Sequence, residues 1–283
     1  MAKKKKFDFA FSLGASCFCS QSLRNLGLQF ASFPFDWIDD TTMALRTNFA
    51  IGVGRENWLR KENLQLDSKI KLFSHDSYRD SVTDVLFPHD FPKGQPMDDA
   101  FEAIREKYAR RFARLDECLA KARSVLIAWV GDPRDRAHSW ATDETIAACL
   151  KTFSKYYPKA TFTMVALTYA EGIPPTAPHI SRGKDYLHVA FDYRKRGNTN
   201  DATSTWTVVR EDLIAPYFKD FRVKDYRTLA EKKAYIQKKR QIKYARFAAT
   251  NVFDYFWVKT QFKLYNHFRK ALIRRGMNLE KTK

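Results

Sequence analysis

The chain has 283 residues, 45% of them apolar, and a formal charge of +18. That content is enough to bury a core in one domain, or in one domain plus an extension, and it excludes a disordered chain. No run of about 18 apolar residues occurs, which excludes a membrane-spanning helix. The charge is unevenly placed: positions 221–283 hold 18 Lys or Arg against 4 Asp or Glu, leaving only about +4 elsewhere. The expected division is therefore an α/β domain over 1–220 and a basic helical extension over 221–283. Lys3 to Lys6, followed by an apolar run and a cysteine, imitates a lipoprotein leader. Asp8 interrupts that run and Gly14 stands where a larger aliphatic residue is wanted, so no leader is expected.

Phe7, Phe9 and Phe11 alternate with Asp8, Ala10 and Ser12, the period of a strand with one buried face. Leu13 and Gly14 end it, and Cys17 to Leu26 suits a helix closed by Gly27. Ser16 and Cys17 fall in the first turn of that helix. There, unpaired N–H groups and the helix dipole favour a thiolate and can receive an oxyanion. Cys17 is the candidate nucleophile, with Gly14 and Ser16 beside the substrate. The competing reading makes Cys17 and Cys19 small core residues. Neither these nor Cys118 and Cys149 have zinc-type spacing or suggest a disulfide framework, which points to a reducing cytoplasm.

Asp39-Asp40-Thr41 can cap a short helix carrying Met43, Leu45 and Phe49, ended by Gly52 and Gly54. The segment from there to Pro96 has no clean period and reads as loop-rich, the kind of region that folds over a site. Asp98 to Ala122 is the clearest helix, with Phe101, Ile104, Tyr108, Phe112, Leu115 and Leu119 on one face. Its other face carries Arg105, Lys107, Arg110, Arg111 and Arg114, read as a solvated face or as a contact for an anionic substrate.

Ser124–Val130, Thr142–Tyr157 and Thr161–Leu167 read as strand, helix and strand, and Tyr186–Phe191 as a further strand. Strands apolar on both sides in α/β order predict a three-layer, doubly wound, mainly parallel sheet. Ligands of such sheets lie at the carboxyl ends of the strands, here Gly14–Cys17, Gly131–Arg136 and Thr168–Glu171. The second end adds Asp132, Arg134 and His138 as candidate substrate-binding residues.

From 251 to 275, Phe253, Phe256, Trp257, Leu264, Phe268 and Leu272 are interleaved with Lys259, Lys263, Lys270 and Arg274 at helical spacing. This describes a helix lying on an anionic membrane surface, or one packed on the α/β domain with its charges in water. Nucleic acid is the least favoured partner.

Ser12-Leu13-Gly14 followed by Cys17, then Leu23-Arg24, Gly27-Leu28, Ser32 and Pro34-Phe35-Asp36-Trp37, resembles the bacterial domain-of-unknown-function family labelled putative papain-like cysteine peptidase. His89-Asp90-Phe91, and Lys107-Tyr108 with Arg110, Arg111 and Arg114, fit the same family, so the resemblance spans roughly residues 7 to 170. It implies a cysteine-centred site at Cys17. The family commonly has Asn before that cysteine where this chain has Ser16. The label also implies a helical half and an antiparallel half, which conflicts with the strand pattern. The strand-end cysteine is similar, over a few residues, to a capsule-biosynthesis acyltransferase-like family whose first strand ends in Gly-Asn-Cys-Gln.

A cysteine nucleophile needs a base within about 3 Å and a group to orient that base. Among six histidines, His89 in the His-Asp-Phe motif comes first and His138 second, with Asp36 or Asp90 as orienter. No Gly-rich phosphate loop or metal-ligand cluster is present, so the expected chemistry is cofactor-free and runs through an acyl thioester, with acyl-CoA as a candidate co-substrate. Two functions follow. One is a cysteine-dependent hydrolase or acyltransferase acting on an acyl or surface-glycan precursor, in the cytoplasm or peripherally on the inner membrane. The other is a glycosyltransferase-like or binding module of polysaccharide assembly in which Cys17 is structural.

Overall fold

A computed structural model describes residues 4–15, 17–71, 74–132, 140–193, 211–225, 227–230 and 232–233. In chain order the strands and helices are β1 (Lys5–Phe7), β2 (Phe9–Ala15), α1 (Cys17–Asn25), α2 (Met43–Ala50), β3 (Leu64–Lys71), β4 (His75–Asp80) and β5 (Leu86–Pro92). They continue with α3 (Met97–Lys121), β6 (Ser124–Val130), α4 (Asp143–Tyr156), β7 (Thr161–Tyr169), β8 (His179–Arg182), β9 (Tyr186–Phe191), α5 (Glu211–Ile214) and β10 (Phe221–Val223). A 3₁₀ turn over Pro34–Trp37 separates α1 from α2.

The main sheet has the order β2-β6-β7-β9-β8, with the first four strands parallel and β8 antiparallel at the edge. The chain is thus α/β with a mainly parallel sheet. The expectation of double winding is corrected. The parallel strands cross the sheet in chain order, without the reversal that double winding requires. The physical reason lies in the crossovers, because α3 precedes β6 and α4 joins β6 to β7, and both pack on the same face. Right-handed connections that keep to one face advance the sheet in one direction.

That face buries Phe9, Phe11, Leu13, Ile127, Trp129 and Ala166 with residues of α2, α3 and α4. The opposite face buries Ala10, Leu126, Ala128, Val130 and Val165 with Cys19 and Leu23 of α1, and with Ile214 and Phe218. The first strand is consequently buried along its whole length rather than on one face, and it runs on through Gly14 to Ala15.

Residues 64–92 form a three-stranded antiparallel sheet in the order β3-β4-β5, where the sequence suggested irregular loops. The strands HDSYRD and LFPHDFP are short, polar and interrupted by proline, so no period-two signal survives. β5 is at the edge of this sheet, with only a single bridge from Leu86 to Asp39 on its other side among the described residues, so Pro88 sits where a missing N–H is tolerated. A parallel pair, β1 with β10, closes the N-terminal unit. The chain divides into two compact units, Met1–Asp225 and Tyr226–Lys283. The amphipathic tail expected over 251–275 lies outside the described residues. Among the described residues no helix is long and apolar enough to cross a membrane.

β2 is an edge strand, and side chains meet the backbone groups that β6 does not take. The Ser12 N–H donates to Gln29 Oε1 (3.2 Å). Arg46, fully buried on α2, donates through Nη1 to the Leu13 carbonyl (3.2 Å) and through Nη2 to that of Ala15 (2.6 Å). Its Nε donates to Thr41 Oγ1 (2.6 Å), and its guanidinium lies 5.7 Å from the Trp129 ring centroid. Gly14 makes room for it: a Cβ there would stand 2.4 Å from Nη1 and 2.9 Å from Trp129, on a backbone with φ +151°. Gly14→Ala should therefore cost about 3 kcal/mol through overpacking and backbone strain, read as a lower denaturation midpoint at unchanged m-value.

Four buried groups are kept neutral by the fold. Burial pushes the Cys19 and Cys149 thiols from 9.0 up to about 12, and raises the Tyr108 and Tyr193 hydroxyls as well. The unfolded chain releases these protons at lower pH than the folded one, so stability falls as pH rises. For the thiols the loss spans pH 9 to about 12. Urea titrations at stepped pH should show it, and Cys19→Ala should reduce the slope.

Candidate active site

Cys17 is the first residue of α1, two residues past the end of β2, and is partly exposed. Cys19, two residues on, faces the core and is fully buried. The two cysteines read together in the sequence therefore occupy opposite environments. The β2–β6 register ends at Ala15 opposite Val130. Cys17 and Asp132 each lie two residues beyond that pair, so the two strand ends bring the thiol and this carboxylate to the same edge of the sheet. Asp132 is buried, and its charge, after burial itself, adds to the rise of Tyr193, whose hydroxyl donates to the Gly131 carbonyl (2.7 Å). Ser16, Arg134 and His138 lie outside the described residues.

Gly14 is a structural glycine under the Arg46 guanidinium, just before the nucleophile turn. Arg46 carries no sequence motif. The only sign of it was an arginine among apolar neighbours in a short helix, which the periodicity does not separate from an exposed one.

Asp36 is fully buried and its oxygens are taken by the segment around it. It accepts from Arg24 Nη2 (2.5 Å), from Gln29 Nε2 at both oxygens (2.9 and 2.8 Å) and from the Phe33 N–H (3.0 Å). Burial raises this carboxyl above its ordinary value, against the opposing pull of Arg24 and Gln29. The Asp36 carbonyl also accepts from Ser20 Oγ of α1 (2.9 Å). The Pro-Phe-Asp-Trp turn is thus riveted to the helix that carries Cys17, and Arg24 and Gln29, missed as site residues, are its fasteners.

His89 is half-buried on β5, edge-on to Trp37 with ring centroids 5.9 Å apart and edge-on to His75 at 6.1 Å. Trp37 in turn lies under the Arg24 guanidinium (6.0 Å). The 3₁₀ turn packs against both α1 and β5, so the cysteine-bearing helix and the histidine-bearing strand are built on a common support. Successive strand residues point to opposite sides. Accordingly Asp90 turns towards α3, where it accepts from Lys107 Nζ and from Tyr108 Oη (2.6 Å). The oxygens of both Asp36 and Asp90 are thus engaged by other groups, away from the orienting role expected of them.

The basic face of α3 divides in two. Arg105 and Arg110 pair with Glu102 and Glu106 on the exposed surface, where such pairs contribute little. Lys107 reaches inward to Asp90, Arg114 donates to the Ser32 carbonyl (2.6 Å) at the surface, and Arg111 stacks over Tyr108 at 5.1 Å. Among the described residues no group of three or more His, Cys, Asp or Glu is placed to hold a metal ion.

Neither the curated proteins nor the solved structures contain a significant match to the chain. A family model does match, over a segment that starts at the head of β2, includes Cys17, the Pro-Phe-Asp-Trp turn, the small sheet, α3, β6 and Asp132, and stops at residue 139. That family is described as Putative papain-like cysteine peptidase, and the chain is similar to it over residues 8–139, a little under half of its length.

Proposed function

We propose that the chain is a cysteine-dependent hydrolase whose nucleophile is Cys17 and whose base is His89. The observation that carries this reading is the pairing of a partly exposed thiol at the first helical residue with a second thiol, Cys19, sealed two residues on. The fold separates a reachable sulfur from an inert one. The first-turn N–H groups of α1 would receive the oxyanion. Asp132, at the neighbouring strand end, supplies a polar group at the substrate's side of the thiol. Asp36 and Asp90 hold the scaffold: the first fixes the turn beneath Trp37, the second ties β5 to α3.

The finer reading extends this chemistry from hydrolysis to acyl transfer. A thioester on Cys17 can pass its acyl group to water or to an alcohol, and a surface-glycan precursor with acyl-CoA as donor is the acceptor–donor pair we favour. The net charge of +14 over 221–283 supports placement on an anionic inner-membrane surface. The fold that accompanies this reading is a three-layer sandwich, supported by the buried clusters on both faces of the main sheet.

Alkylation by iodoacetamide at pH 7, mapped by peptide mass spectrometry, tests the nucleophile. Cys17 should react at least about ten times faster than an unfolded-chain cysteine, while Cys19 and Cys149 stay unmodified until the protein is denatured. His89→Ala should slow Cys17 by about tenfold or more. A Cys17 rate equal to that of the denatured chain would sink the proposal. A loss seen in His138→Ala instead would move the base to His138.

A further inference from the structure

Beyond the family segment, a second cluster of polar side chains meets near the carboxyl end of β7, beside the middle of β9. His188 stands on β9 opposite Ala166 of β7, and Thr168 lies two residues further along β7. Ala166 packs in the core cluster with α4, and strand alternation puts Thr168 on that same face. Asp143 opens α4. Its Oδ1 is 2.8 Å from His188 Nδ1, and Thr168 Oγ1 is 2.9 Å from His188 Nε2. Ser181, paired with His188 across β8, donates its hydroxyl to the other Asp143 oxygen.

One assignment of the protons suits all of these contacts. The Ser181 hydroxyl first, then His188, hold Asp143 below its ordinary value, and the start of α4 favours its charge. An ionised carboxylate only accepts, so Nδ1 carries the proton of the neutral imidazole. That leaves the Nε2 lone pair facing the Thr168 hydroxyl. Carboxylate, imidazole and hydroxyl in this order make an activated hydroxyl nucleophile, and strand carboxyl ends are where open parallel sheets place their chemistry.

We propose that Thr168 is a second nucleophile, activated by His188 and Asp143, for esters of short acyl groups. Oγ1 attacks the ester carbonyl while its proton passes to Nε2. The C–O bond to the alcohol then breaks, and the leaving oxygen takes that proton. Water attacks the acyl-threonine by the same route in reverse, releasing the acid and restoring the hydroxyl. Thr168 is 4% exposed and the His188 side chain 15%, which limits the acyl group to a small one.

Methanesulfonyl fluoride is a probe of matching size: the Thr168 oxygen forms the O–S bond and fluoride leaves. The full chain should carry one sulfonyl group on the peptide containing Thr168, retain it in Thr168→Ser and lose it in Thr168→Val. His188→Gln and Asp143→Asn should slow the modification by about 100-fold and by about tenfold or more, respectively, with thermal melts confirming folding. Asp143 is partly exposed, so its variant keeps the test open if His188→Gln does not fold. An unmodified Thr168 in the wild-type chain, or a rate unchanged in the folded Asp143 variant, would overturn the proposal.

Discussion

The fold turns on an edge strand paired on one side alone. β2 carries the chain into the candidate site, and among the described residues no strand on its outer side meets its amide and carbonyl groups. An unmet backbone group in a dry interior costs about 1–3 kcal/mol, so such a strand cannot stay buried on both faces without donors and acceptors from elsewhere. Gln29 and Arg46 supply them. A guanidinium suits this work because it remains charged in the interior and offers five donors in a rigid fork. Several features then follow from its presence. Gly14 has no side chain, Thr41 turns its hydroxyl inward, and Trp129 lays its ring alongside the guanidinium.

Gln29 couples this edge to the turn that supports the site. One end of its amide accepts the Ser12 N–H and the other donates to Asp36, which also holds Arg24 of α1. Strand, helix and turn are thereby joined through a single buried carboxylate. Breaking one partner of such a network leaves the others desolvated and unsatisfied, a larger loss than any one hydrogen bond contributes. The Pro-Phe-Asp-Trp motif is thus explained by architecture: its aspartate is a hub, and its tryptophan is the surface on which His89 rests.

The parts of this structure legible in the sequence are those governed by long apolar periodicity. Ser124–Val130 and Tyr186–Phe191 are strands at the boundaries expected of them, and Asp98–Ala122 differs from α3 by one residue at each end. The position of Cys17 at the start of its helix was legible too, because a strand, a glycine and a capped helix leave few alternatives. The small sheet was hidden by polar strands and prolines. The direction of winding was hidden because strand order depends on which face each crossover packs against, and local pattern does not encode that choice. The roles of Asp36 and Asp90 could not be read because a carboxylate in a motif looks the same whether it faces an imidazole or a ring of donors. Arg46 and the His188 cluster were invisible for a related reason, since these partners are 20 to 45 positions away in sequence.

An exposed sheet edge is an open socket into which any stray extended segment can plug. Here the socket beside the candidate nucleophile is already filled, by an amide and a guanidinium in place of a backbone. A peptide reaching this margin of the molecule would find no ladder to extend. A peptide docking there would accordingly be held through its side groups, not by lying down as an additional strand. The same plug keeps one chain from zipping onto the next, so this end of the sheet is protected against self-association by bonded side chains together with the cover of α2.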